Sequence, residues 1–240
     1  MTDVSDAFGG TLGNFTQRTD EYNTGTIEIS GGRIQVVSGD TEAAMYWSAD
    51  TFANDQWASI VIAQASTTYS GGGPVCRMQA GSFSCYMAYV AKDNGANNFI
   101  LQRYDSGSGT TLDSSVKAIA ANDVVKIEAI GTSIKVYVNG VEELSATDST
   151  YTSGYPGIEM YDAGTGTKFQ LDSFAAGPIA GAGEDDLLAN DVTSASSVGT
   201  PALGQKHVLD AADVASASSV GTPALHQVHG LLANDVASAS

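Results

Sequence analysis

The spacing of its β-rich runs constrains this chain more than any other feature. Between Thr26 and Ala175, short segments rich in β-branched and aromatic residues recur about every 8 to 12 residues, separated by Gly, Asn, Asp and Ser. They read TIEIS, RIQVVS, AAMYWSA, QWASIVIAQA, PVCRMQA, CYMAYVA, NFILQRYD, DVVKIEAI, SIKVYV, VEELSA, GIEMYD and FQLDSFA. No long segment of 3.6-residue period interrupts the series. In SIKVYVNGVEELSA, Asn139-Gly140 between two alternating segments predicts a type I′ hairpin. Ile134, Val136 and Val138 then face one side, and Lys135 and Tyr137 the other. More than ten such strands within residues 1–178 fit two packed antiparallel sheets, an all-β sandwich.

Composition agrees with a cored domain, since 42% of the 240 residues are hydrophobic and 8% aromatic. With 27 Asp and Glu against 10 Lys and Arg, the formal net charge is −17. This balance argues against nucleic acid and anionic membranes as partners, because counterion release needs clustered Lys and Arg. No run of about 18 apolar residues occurs, so no membrane insertion is expected, and MTDVSDAFGG lacks the basic and apolar regions of a usual secretion signal. Cys76 and Cys85 flank Ala80-Gly81, and pairing about that turn sets them opposite each other. A cross-strand disulfide and two buried thiols are both open readings. The glycine-rich DAFGG and SGGGP segments lack the Lys-Ser/Thr of a phosphate loop and are read as turns.

Beyond a linker at residues 179–186, residues 187–240 hold tandem repeats of 22 residues. DVTSASSVGTPALGQKHVLDAA and DVASASSVGTPALHQVHGLLAN match at 16 of 22 positions, and LLANDV at Leu187 returns at Leu231. Each unit has too few apolar residues to bury a core alone. Val192, Val198, Leu203 and Leu209, like Val214, Val220, Leu225 and Leu231, need partners, as assembly residues would. A homotrimeric stalk is the favoured picture, with docking on another protein and a flexible linker as alternatives.

The β region resembles concanavalin A-like jelly rolls of the laminin-G and laminarinase-like kind, particularly those of bacteriophage virion proteins. The segments that carry the resemblance are DAFGG, LGNF, YWSADTFANDQWASIVI, CYMAYV, LQRYD, VVKIEAIGTSIKVYVNGVEELSATD and FQLDSFAAG. The repeats resemble short repeats of phage structural and fibre proteins. Together the two resemblances imply a virion component, displayed on the particle surface, with other virion proteins as partners.

Many members of the resembled superfamily bind carbohydrate and some hydrolyse it. The Glu-x-Asp-x-x-Glu arrangement of the hydrolases is missing, and the acidic strands around Glu128, Glu159 and Asp162 lack the alternating pair, so no catalytic residue is assigned. Sugar rings stack on aromatic faces while their hydroxyls take directional hydrogen bonds, which makes Trp57, Tyr89 and Tyr137 with Arg77 and Arg103 the carbohydrate-binding candidates. The resemblance also implies calcium in loops or near paired termini, where Asp3, Asp6 and Asp172 meet if the first and last strands pair. His207 and His229 share one repeat position and would form metal-binding rings on a three-fold axis. The leading expectation is a non-enzymatic virion appendage that displays a lectin-like domain. A monomeric carbohydrate-binding module is the alternative, and a polysaccharide hydrolase is third.

Overall fold

A computed structural model describes residues 3–179, apart from 38–40, 66–68, 94–95 and 165–166. The expectations for residues 180–240, including the assembly residues, His207 and His229, lie outside the described residues. The strands are β1 (Val4–Asp6), β2 (Phe15–Gln17), β3 (Ile27–Ser30), β4 (Arg33–Val36), β5 (Thr41–Trp47), β6 (Gln56–Gln64), β7 (Gly71–Met78) and β8 (Cys85–Asp93). They continue as β9 (Ala96–Asp105), β10 (Ser108–Ser115), β11 (Val124–Ile130), β12 (Ser133–Val138), β13 (Val141–Thr147), β14 (Tyr155–Asp162) and β15 (Gln170–Pro178). Among the described residues there is no helix.

Two antiparallel sheets form the sandwich. One runs β13-β12-β11-β6-β15-β4-β3, with β1 also on β15; the other runs β10-β9-β8-β7-β14-β5-β2. Period-two alternation decides what lies between them: Ala58, Ile60 and Ile62 of β6 and Ile134, Val136 and Val138 of β12 point inward, against Ile158 and Met160 of β14. Phe15, Trp47 and Phe174 close one part of this core, with Phe15 edge-on to Trp47 at 5.0 Å and to Phe174 at 5.3 Å. The Asn139-Gly140 hairpin forms as expected, with φ of 52° and 81°, the double positive φ of a type I′ turn.

Both pairs of sheet edges are tied by side chains rather than left as open ladders. The Gln17 amide acts as a peptide group between β2 and β3, donating to Ile27 O at 2.8 Å and accepting from Ile27 N at 2.9 Å. Across the sandwich, Asp113 of β10 accepts from Ser145 N of β13 at 3.0 Å. Strand β10 has no counterpart among the β-rich runs, because an exposed edge strand can be written in Ser, Gly and Thr.

Two sequence expectations are corrected here. Gly71-Gly72-Gly73-Pro74 is no turn; it is the fully buried first half of β7, between β8 and β14. These glycines are needed for close backbone approach: an added Cβ would lie 2.2 Å from Val90 O at Gly71 and 1.7 Å from Ala88 O at Gly73. Of the two open readings for Cys76 and Cys85, buried free thiols is the one found, and what is corrected is their placement opposite each other. The β7–β8 ladder sets Cys76 opposite Tyr86, one residue past Cys85. That offset sends Cys76 into the inter-sheet core and Cys85 into a separate cluster on the sheet's other face.

Candidate functional site

The five carbohydrate candidates chosen from sequence do not form one site; only Trp57 and Tyr137 come together, on either side of Lys126. Trp57 and Tyr137 belong to the eight-stranded sheet, where Lys126 Nζ lies 5.1 Å from the Trp57 ring and 5.9 Å from the Tyr137 ring. Tyr89 packs on the outer face of the other sheet. Arg103 is held by Asp105 at 2.9 Å and Asp148 at 2.6 Å. Arg77 is 1% exposed, too deeply buried for the ligand contact expected of it. Its guanidinium donates to the carbonyls of Asn54 at 2.9 Å, Gly131 at 2.8 Å and Tyr151 at 2.9 Å. A buried cation already ringed by backbone oxygens is a structural tie.

The terminal acids do not fit calcium either. Strand β1 pairs with β15 as the proposal required, but Asp6 stands opposite Phe174, and its carboxylate accepts from Phe8 N at 2.7 Å. Asp172 is exposed further along β15, while Asp3 lies beside Gly177. Among the described residues no group of three or more His, Cys, Asp or Glu is placed to hold a metal ion.

What Arg77 organises is a pocket at one end of the sandwich. Thr51, Phe52, Met78, Gln79, Ala80, Ser153, Gly154 and Tyr155 line a space of ≈ 390 Å³. Three stretches of backbone form its walls, and polar side chains fasten them together. Gln56 Nε2 donates to Ala53 O and Gly154 O, both at 3.0 Å. Gln79 Nε2 donates to Arg77 O at 2.9 Å and Ser153 O at 2.7 Å. Arg18 Nη1 reaches Gln79 O at 2.8 Å and Ala80 O at 3.1 Å. A β-bulge where Tyr155 pairs with Met78 and Gly157 with Val75 gives β7 an extra residue at Cys76-Arg77, and Arg77 has φ 55°.

The approach to the pocket along residues 148–151 is fastened by charge. Tyr86 OH donates to Asp148 at 2.6 Å, Thr150 N donates to it at 2.8 Å, and Tyr86 OH in turn accepts from Tyr151 N at 3.0 Å. Burial works to raise the Asp148 carboxyl, but the hydrogen bonds from Tyr86, Thr150 and Arg103 hold it down at about 2. Tyr155 then packs against Tyr46 with ring centroids 5.0 Å apart, extending the aromatic surface along the outer sheet face.

Further along that face, Glu159 stands between Ala44 and Gly73 on the neighbouring strands. It is 3% exposed, and its Oε2 has no hydrogen-bond partner. Burial, and then the Glu42 carboxylate, push the Glu159 carboxyl well above its ordinary value of 4.5. A raised folded-state pKa contributes stability fully below the ordinary value and loses it as pH rises toward the folded one. Glu159→Met is therefore expected to match the parent's melting temperature at pH 4 and to exceed it at pH 8, by an amount equivalent to roughly 1–3 kcal/mol. Melting curves at both pH values check this.

Of the pocket residues, sequence reasoning singled out none as a site. Tyr155 in TSGYPG carries the only local signal, an aromatic ring leaving a Gly turn. Arg77, a carbohydrate-binding candidate in the sequence, serves together with Tyr86 to hold the walls.

No protein-family model and no curated protein matches the sequence. Solved structures share the fold. The Emp47p carbohydrate recognition domain is similar at TM-score 0.54 and 10% identity, covering 74% of this chain and 95% of that one. The CBM2 module of the Lactobacillus casei BL23 phage J-1 evolved Dit aligns at TM-score 0.53 and 10% identity, over 72% and 93%. A Bacillus licheniformis β-glucanase aligns at TM-score 0.53 and 12% identity, over 74% and 98%. The sandwich is thus a concanavalin A-like jelly roll, an architecture shared by carbohydrate-binding domains and glycan-cleaving enzymes.

Proposed function

We propose that this protein is a non-enzymatic carbohydrate-binding module carried on a virion appendage, with the end pocket as its glycan site. The observation that carries the reading is the pre-fastened pocket, in which Phe52 and Tyr155 offer apolar rings while Thr51, Ser153 and Gln79 offer hydrogen-bonding groups. A pyranose ring presents the complementary pattern, apolar faces with a hydroxyl rim. Walls already held by Arg77, Gln56 and Gln79 reduce the ordering cost of binding.

The whole chain is expected to bind on a glycan array, and Tyr155→Ala to lose affinity at least tenfold, about 1.4 kcal/mol. Wild-type-like circular dichroism of the variant keeps the loss local. Wild-type protein that binds no glycan would sink the reading.

The virion setting is supported by the repeat at residues 187–240 and by the similar fold of a module from a phage protein. Weak pockets repeated on a homotrimer gain by avidity. Light scattering of the full chain is expected to give three times the monomer mass of 24.6 kDa. A monomer at all concentrations would leave the monomeric module as the reading.

Hydrolysis is a second reading because Glu42 and Glu159 share one sheet face. With Glu159 3% exposed, the Glu42–Glu159 pair offers substrate at most one of the two carboxyls which glycoside cleavage uses. No reducing-sugar release is expected from any polysaccharide the protein binds.

A further inference from the structure

Resting on that reading of the pocket, we infer that it selects uncharged sugar units and rejects uronate, sialate and sulfated ones. The inference comes from the donors and acceptors that remain once the walls are fastened. None of the lining residues is charged.

Two guanidiniums stand behind the walls, and neither is available. Arg77 directs Nε and Nη1 at the carbonyls of Asn54, Gly131 and Tyr151, and Nη2 at Asp55 at 3.4 Å. Arg18 directs Nη1 at the carbonyls of Gln79 and Ala80, and Nε and Nη2 at Asp20 at 3.1 and 2.9 Å. The side chains of Arg77 and Arg18 are only 1% and 6% exposed. Recruiting either to an anion would break a wall.

Among the lining side chains, the polar groups left are therefore an acceptor and hydroxyls. Gln79 has both of its amide hydrogen bonds directed at the carbonyls of Arg77 and Ser153, which leaves Oε1 as an acceptor. Thr51, Ser153 and Tyr155 contribute hydroxyl groups that can donate or accept. A neutral sugar hydroxyl can donate to Gln79 Oε1 and exchange bonds with the hydroxyls.

A carboxylate or sulfate has no proton for Gln79 Oε1 and finds no cation to replace its hydration. Desolvating an unpaired charge is the costlier exchange. The net charge of −17 works in the same direction, although salt screens it beyond about 8 Å at physiological strength.

The test uses the full-length protein against neutral hexose oligosaccharides, their uronate counterparts and their sulfated counterparts. Tyr155→Ala defines the part of the signal that belongs to the pocket. Tyr155-dependent binding confined to the neutral members, by at least tenfold, is the expected result. Ala80→Lys, at an exposed lining position whose methyl side chain offers the ligand no polar atom, places a cation on the rim and is expected to raise the ratio of uronate to neutral binding at least tenfold. Tyr155-dependent binding of an anionic glycan as strong as that of its neutral counterpart overturns this inference and leaves the glycan site standing. If no Tyr155-dependent signal appears with either class, the site assignment falls along with it.

Discussion

Gly73→Val is expected to destabilise the protein by about 3 kcal/mol or more and to prevent folding at physiological temperature if the parent stability is ordinary. The side chain has nowhere to go. A Cβ at this position would stand 1.7 Å from Ala88 O and 2.8 Å from Ala88 C, and both are backbone of the adjacent strand. Relief requires β7 and β8 to separate at the middle of the seven-stranded sheet, where every residue of β7 is buried. Gly72 offers no slack, since its own added Cβ would lie 2.3 Å from Glu159 O on β14. Gly81→Ala is the control, because nothing lies within 4 Å of an added Cβ there. It should stay within about 0.5 kcal/mol of the parent. Urea titration of the three proteins checks both expectations, and a Gly73→Val midpoint equal to that of Gly81→Ala would contradict the packing argument.

Arg77→Leu is expected to cost about 3–5 kcal/mol, the range for breaking a buried charged network. Its loss strips a donor from the carbonyls of Asn54, Gly131 and Tyr151 together. The effect extends to function, because Tyr151 precedes the Ser153–Tyr155 wall and Asn54 follows the Thr51–Phe52 wall. Glycan affinity should fall even under conditions where the variant remains folded. Arg77→Lys should recover little, since one ammonium cannot reach carbonyls that a planar fork contacts in several directions. Denaturation measured beside glycan binding separates the two losses, and full recovery by lysine would argue for charge alone.

How much of this was legible in sequence differs by element. Strand β12 could be read residue by residue, because Ile134, Val136 and Val138 alternate with polar neighbours and Asn139-Gly140 specifies its turn. Strand β10 could not, because an edge strand needs no apolar face. Gly71-Gly72-Gly73 reads as a turn in sequence because glycine serves both chain reversal and close backbone approach. Only the spacing to Val90 and Ala88 distinguishes the two.

The site was hidden for a related reason. Trp57, Tyr89 and Tyr137 have chemistry suited to sugar, yet which face of which sheet each occupies depends on pairing across the whole chain. Arg77 has a ligand's chemistry and a structural residue's surroundings. Thr51, Gln79 and Tyr155 are more than 20 residues apart in the chain, and no local pattern links them.

The sequence by itself determined the two-sheet architecture, the inward faces of the regular strands and the acidic surface, since these follow from local periodicity and composition. The tertiary structure alone decided which polar groups are left for a ligand. Arg77, Gln56 and Gln79 carry donors in any fold, and only long-range register directs those donors to wall carbonyls, leaving a pocket without a charged side chain.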